Sequence, residues 1–336
     1  VIVRQKTLPG EEMAAIDLVD TEMRRLGFDY VFVDSYGSAI GIVQCDQPGP
    51  TLLLDGHLDT VGIAPGVPWK HDPFGAEIQA DRMYGRGTSD MKGAVAAMIY
   101  AAASVDRSKL AGRVIISASV LEEVMEGLAL KAVMDEIKPD FVVIGEATDL
   151  NLAHGGRGRA EVHLESVGQP SHSSAPHLGK NAVLMMLPAL QAIEQMTLPV
   201  DPLIGGAVQA LTDIISEPYP GHSVIPSRCL VTYDRRVLPG ETAETVISEL
   251  KSLPELGDIT VTIPEGEYNT YTGLTMRGPK FFPAWKLDSD HMLVESAVAG
   301  LRATGLQPGL RAFQFCTNAA YSAGHAGIPT IGFGPS

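Results

Sequence analysis

His57 and Asp59 stand one residue apart, just past the apolar run Thr51 to Leu54. Two further runs end in the same kind of chemistry: Val114 to Val120 leads into Glu122-Glu123, and Phe141 to Ile144 leads into Gly145-Glu146. Asp90, within Gly85-Arg86-Gly87-Thr88-Ser89-Asp90-Met91-Lys92-Gly93, lies where a loop enters a helix-like stretch. Imidazole nitrogen and carboxylate oxygen together suit a hard-to-borderline divalent ion such as zinc. Carboxylates gathered at one edge repel one another, and a pair of cations offsets that charge most economically. On this reading His57 ligates one ion, Asp59 accepts the other ring N–H and fixes the tautomer, and Asp90 bridges the two ions. Of the neighbours Glu122 and Glu123, one ligates while the other stays free as a general base. The reaction class is metal-assisted hydrolysis.

Each piece alone is weak, because a lone His-x-Asp is more often surface decoration and a Glu-Glu pair a solvated corner. Their joint placement carries the reading, since ligands of an open parallel sheet collect at the carboxyl ends of its strands. Six other histidines, His71, His154, His163, His177, His222 and His291, are isolated and receive no role. No Gly-x-Ser-x-Gly and no phosphate-binding loop is present, so Ser171 and Ser173 beside His172 do not signal a serine hydrolase.

The elements that must position these groups are legible as periodicity. Met13 to Leu26 has helical spacing and closes at Gly27, and Gly93 to Ser104 and Leu128 to Ile137 are also helix-like. Helices alternating with apolar strands predict an α/β domain with a largely parallel sheet covered on both faces. From Arg157 the pattern changes. Arg159 to Val167 alternates like a half-exposed antiparallel strand, followed by a helix from Asn181 to Met196. Strands over Arg228 to Val237 and Asp258 to Pro264 flank a helix from Thr242 to Leu253. Residues 157–270 therefore read as a smaller α+β unit inserted between segments 1–156 and 271–336. A helix near Met292 to Thr304 and a strand over Pro329 to Phe333 return to the first domain.

Composition bounds the rest. The 336 residues carry 40 acidic and 25 basic side chains, a net charge of −15. Such a surface repels phosphate backbones and anionic headgroups, so neither nucleic acid nor membrane is an expected partner. The longest nearly apolar run, Ala94 to Val105, is short of the roughly 18 residues a bilayer requires, and the opening residues do not read as a signal peptide. Cys45, Cys229 and Cys316 are widely spaced and odd in number, which predicts buried thiols in a reducing cytoplasm.

Gly56-His57-Leu58-Asp59-Thr60-Val61, the Gly85 to Gly93 segment, Glu122-Glu123, Gly145-Glu146-Ala147-Thr148 and Gly332-Phe333-Gly334-Pro335 occur together in this chain. In this it resembles the co-catalytic zinc amidohydrolases and metallopeptidases that include acetylornithine deacetylase, succinyl-diaminopimelate desuccinylase, aminoacylase and carboxypeptidase G. The resemblance runs over essentially the whole chain. Trp69 to Gly75 and Glu122 to Gly127 are most similar to the branch of selenium-metabolism-linked hydrolases. The implied fold is the zinc-dependent exopeptidase-like α/β domain with an inserted α+β lid that dimerises.

The resemblance also implies roles. His57, Asp90 and Glu146 would hold one zinc, and Asp90, Glu123 and a C-terminal His the second; cobalt or manganese could replace zinc. That His falls a few residues after the Gly-Phe-Gly-Pro strand, past Ser336, which implies a chain incomplete at that end, and His325 does not fill the position. Glu122 matches the general acid/base. His172, in Ser171-His172-Ser173, matches a lid histidine that steadies the oxyanion, often in the partner subunit's site. Arg236 matches a lid arginine that grips a substrate carboxylate, and Asn318 lies in the stretch that lines the pocket. Ser223 stands before Val224-Ile225-Pro226 where the family usually has Asn, and Val124-Met125 is bulkier than usual.

The implied activity is cleavage of a small N-acyl amino acid by metal-activated water, giving a carboxylic acid and an amino compound. Di- or tripeptidase and N-carbamoyl amidohydrolase are the alternatives within the class. A non-catalytic binding protein on the same fold is the alternative outside it, although a binder has no use for a free base beside a metal.

Overall fold

The computed structural model describes all 336 residues, which divide into two compact units. The first comprises Val1–Gly156, Gly266–Gly278 and Trp285–Ser336, and the second Arg157–Glu265 and Pro279–Ala284. The chain therefore crosses between units four times rather than the two times that a single insertion over 157–270 would need. The hairpin strands Glu265–Asn269 and Thr275–Pro279 fall almost wholly in the first unit.

In the first unit, helix α1 (Met13–Arg25) precedes strands β1 (Tyr30–Val33), β2 (Ala39–Gln44) and β3 (Gln47–His57). Helix α2 (Gly93–Ala103), strand β4 (Ala111–Ser119), helix α3 (Leu128–Ile137) and strands β5 (Phe141–Ile144) and β6 (Leu152–Gly156) follow. The second unit contains β7 (Arg159–Val167), α4 (Ala182–Glu194), β8 (Val208–Glu217), β9 (Arg228–Arg236), α5 (Ala243–Lys251) and β10 (Thr260–Thr262). The first unit then resumes with β11 (Trp285–Lys286), α6 (Met292–Ala303), β12 (Leu310–Phe313) and β13 (Thr330–Gly332).

The large sheet of the first unit runs β1-β2-β4-β3-β5-β13-β6-β11, with β12 also paired to β6. Its centre is the expected parallel array, with β4, β3, β5 and β13 as parallel neighbours, and β12 also runs parallel to β6. Its margins are antiparallel, with β1 on β2, β2 on β4, and β6 on β13 and β11. The sequence reading missed β1, β2 and β6: β1 and β2 form an antiparallel hairpin and β6 pairs antiparallel with β13, so none of these pairs is made by the helical crossovers that the reading followed. Leu53, Ile115, Val142 and Ile144 pack with Leu130, Val133 and Met134 of α3 on one face. Beneath the other face, Gly56 of β3 and Gly145 beyond β5 lie so close to Met91 and Met98 that a Cβ would meet their methyl groups within 2.6 and 2.9 Å. Burying one such Leu or Ile stabilises the sheet by about 1.5–3 kcal/mol, and interdigitation sets which strand ends meet. No helix is long and apolar enough to cross a membrane. All three cysteines are free and buried.

In the second unit the order is β8-β9-β7-β10, all antiparallel. β7 and β9 alternate between buried and half-buried positions. Val162, Leu164, Val231 and Tyr233 pack under Met186 and Ile193 of α4 and Val246 and Leu250 of α5. α4 starts at Asn181, whose side chain accepts from the Val183 and Leu184 amides. β8 was not anticipated, because it is an edge strand whose residues are mostly exposed and so lacks a buried face to impose a period.

The segment Gly332 to Pro335 braces the loop after β5. Gly334 N–H donates to Thr148 Oγ1 at 3.0 Å, and the Pro335 carbonyl accepts from the Thr148 and Asp149 amides, both at 3.0 Å. A Cβ at Gly334 would lie 2.2 Å from the Glu146 carbonyl oxygen and 2.4 Å from that of Gly145. Gly334→Ala must therefore move backbone, and we expect a loss of about 1–3 kcal/mol in thermal or urea unfolding; an unchanged midpoint would contradict the brace.

Candidate metal centre

Register places the chemistry. His57 of β3 is paired with Ser119 of β4, and Asp55 of β3 with Ile144 of β5, so three parallel strands end side by side. The loops beyond them deliver Glu122, Glu123 and Glu146 to the same edge as His57. Asp90 arrives from the turn Thr88–Lys92 that leads into α2, and its peptide bond to Met91 is cis.

The imidazole is the hub. His57 Nε2 is 3.0 Å from Asp90 Oδ1, 3.2 Å from Glu146 Oε1 and 3.8 Å from Glu122 Oε2. Two donor sets have all ligand atoms within 4.8 Å of one another: His57, Glu122 and Glu146, and His57, Asp90 and Glu123. His57, Glu122 and Glu146 are buried, and Asp90 opens to solvent. Nitrogen and oxygen donors bound to zinc at about 2.0–2.1 Å stand roughly 3.3 Å apart in a tetrahedron. The 3.0 and 3.2 Å contacts of Nε2 match that spacing. Glu122 Oε1 is buried with no hydrogen-bond partner, an expensive arrangement unless a proton or cation meets it. The residues therefore fit a divalent-ion centre.

Asp59 departs from its expected role. The Nδ1 N–H of His57 donates to the backbone carbonyl of Asp59 at 2.9 Å, while the Asp59 carboxylate oxygen is 3.5 Å away. That carboxylate instead accepts from the backbone amides of Glu122 at 3.1 Å and Glu123 at 3.0 Å. The main chain sets the ring, and the side chain sets the turn that carries the two glutamates. The periodicity of the sequence could not separate these roles, because both depend on the same two-residue spacing.

Asn318 is also reassigned. It is buried, its Nδ2 donates to Asp55 Oδ2 at 2.8 Å and Ser119 Oγ at 3.0 Å, and its Oδ1 accepts from Gly127 N–H at 2.7 Å. Both amide hydrogens are engaged, so Asn318 is a strut beneath the strand ends rather than a pocket-lining group. Asp55, which it supports, went unnoticed in the sequence because it reads as one more residue of the strand. His172 and Arg236 belong to the second unit. His172 is exposed with Nδ1 2.7 Å from Ser174 Oγ, and Arg236 Nε is 2.8 Å from Asp234 Oδ1.

Electrostatics follow from crowding. Burial pushes the Glu122 carboxyl well above its ordinary value, with His57 opposing and Glu146 reinforcing the rise. Glu146 also rises, mainly by burial. Burial lifts Glu123 to about 7, opposed by His57 and assisted by Asp90. Burial of His57 disfavours its charge, yet Glu122 and its other acidic neighbours outweigh this and hold it well above the usual imidazole range. Folding therefore binds the Glu123 proton more tightly than the unfolded chain does. Its contribution to stability is complete below the ordinary value of 4.5 and is lost as pH rises through about 7. In chelator, the unfolding midpoint should fall between about pH 5 and pH 8, and Glu123→Gln should reduce that slope. A variant with the wild-type slope would contradict this coupling.

Comparison with known proteins accords with the geometry. The model of peptidase family M20/M25/M40 matches residues 53–336. The uncharacterized protein YgeY of Escherichia coli (strain K12) is 32% identical over 335 residues, covering 97% of this chain and 82% of that protein. Succinyl-diaminopimelate desuccinylase 2 of Ruegeria sp. (strain TM1040) is 31% identical over 248 residues, 70% of this chain and 63% of that protein. Among solved structures, YXEP of Bacillus subtilis, described as a dinuclear metal binding peptidase from the M20 family, superposes with a TM-score of 0.68. It is 14% identical, with 99% of this chain and 87% of that one covered. On the family match and the full-length relative together, the chain belongs to peptidase family M20/M25/M40, a family of metal-dependent hydrolases.

Proposed function

We propose that this hydrolase cleaves the amide bond of a small N-acyl amino acid at the centre built on His57. The observation that carries the reading is the convergence of His57, Asp90, Glu123 and Glu146 on one strand edge, with the buried, unpartnered Glu122 Oε1 beside them. His57, Asp90 and Glu146 would hold one divalent ion, and Asp90 with Glu123 would contribute to a second. When bound, zinc, or cobalt or manganese in its place, would supply Lewis acidity and a water of lowered pKa.

Glu122 takes a proton from water as its oxygen bonds to the amide carbonyl carbon, and returns that proton to the nitrogen as the C–N bond breaks. The products are a carboxylic acid and an amine. Asp59 keeps Glu122 in reach by holding its backbone amide, and the Asp59 carbonyl keeps the His57 ring from turning. His172 would donate to the oxygen that gains charge, and the planar fork of Arg236 would pair with the substrate carboxylate. A dipeptide is itself an N-acyl amino acid, so peptidase activity remains within this chemistry.

The second unit also supports a homodimer. β8 is an edge strand that exposes Leu211, Ile214 and Ile215, and α4 exposes Leu184, Met185 and Leu187. Exposed apolar side chains beside an unpaired strand edge favour association of two copies.

The test is release of amine from N-acetyl, N-succinyl, N-carbamoyl and dipeptide substrates, before and after chelation and with zinc restored. Chelation should abolish turnover and zinc should restore it. Glu122→Gln should lower kcat by about 10²–10⁴-fold while metal content stays near wild type. A variant that keeps more than about a tenth of the wild-type rate would remove Glu122 from the mechanism.

A further inference from the structure

Three consecutive backbone amides in the first unit each donate to a buried carboxylate. Those of Glu122 and Glu123 reach Asp59. The third, from Leu121, reaches Glu12 Oε1 at 3.2 Å, across 109 residues of sequence. Glu12 is fully buried immediately before α1, where its side chain makes no capping hydrogen bond to its own helix. It accepts instead from the Gly10 amide at 3.0 Å, and its Oε2 has no hydrogen-bond partner. Leu121 has φ of +56°, a left-handed conformation that a branched side chain keeps only when its surroundings impose it. The turn is closed on its far side by the Met125 amide, which donates to the Leu121 carbonyl at 3.0 Å.

We propose that Glu12 is a positioning residue for the Glu122–Glu123 pair: by fixing the Leu121 amide it holds the left-handed turn from which both carboxylates leave the backbone. Glu12 acts only through that turn. Asp59 sets the two following amides, so the two buried carboxylates together define the direction of Glu122. The functional consequence rests on the role proposed for Glu122, whereas the hold on the turn does not. Burial, reinforced by Asp59, lifts the Glu12 carboxyl to about 7, which makes glutamine, a neutral isostere, its conservative replacement.

The test compares Glu12→Ala, Glu12→Asp and Glu12→Gln with wild type, using amide hydrogen exchange over residues 119–125, steady-state kinetics and zinc content. Alanine removes the acceptor, and aspartate withdraws it by one methylene. Both should speed exchange at Leu121 by about tenfold or more and lower kcat by up to roughly 10²-fold, with KM within about twofold and the zinc held by His57, Asp90 and Glu146 retained. Glutamine should restore protection and bring kcat back to within about threefold. If the alanine variant does not fold, the contrast between aspartate and glutamine decides the question. Unchanged exchange in the alanine or aspartate variant overturns the inference, as does a glutamine variant as impaired as either. A wild-type protein inactive on every amide would overturn the hydrolase reading instead, and the exchange comparison would still decide whether Glu12 holds the turn.

Discussion

Packing negative charge around one buried imidazole is the constraint on which this architecture turns. His57 Nε2 has Asp90, Glu146 and Glu122 within 3.8 Å, and Glu123 completes a second set of donors with His57 and Asp90. Besides His57, Arg86 acts on Asp90: against burial, His57 and Arg86 hold its carboxyl below its ordinary value. Lys92 is buried with its ammonium donating to the Gln5 carbonyl at 2.8 Å, and burial draws it down to about 8 against the pull of Asp59. Carboxylates in such surroundings either take up protons or bind cations. The raised proton affinities of Glu122, Glu123, Glu146 and His57 are the first response, and divalent metal is the second.

Holding such a cluster together requires a scaffold that does not yield. Aligned strand ends provide it, with β3 between β4 and β5 and Asn318 tying Asp55, Ser119 and the Gly127 amide together beneath the centre. The backbone does much of the remaining work. The Asp59 carbonyl orients the His57 ring, while the Gly334 segment braces the loop that carries Glu146. Side chains placed this way leave little freedom to be frozen when an ion binds.

The sequence made the chemistry more legible than its supports. His57, Glu122, Glu123 and Glu146 stood out because polar residues follow apolar strands, and Asp90 because its loop enters a helix, and the structure brings all five to one edge. Helix and strand periods located the parallel centre of the large sheet and the alternating strands β7 and β9. Its antiparallel margins, the exposed edge strand β8 and the repeated crossing between units depend on which strands meet, and no local period records pairing. The same limit explains Asp59 and Asn318. Residue type showed that each had polar business, but whether the partner was a ring, a backbone amide or a buried carboxylate was settled only by tertiary contacts.

The central claim is that this edge is a metal centre whose protons are placeholders for cations. Calorimetric titration of zinc into the chelated protein near pH 7, repeated in buffers of different ionisation enthalpy, measures binding and proton release together. The account predicts zinc binding with release of about two protons in total, supplied by His57 and the raised glutamates. Zinc binding without proton release, or no binding at all, would contradict it.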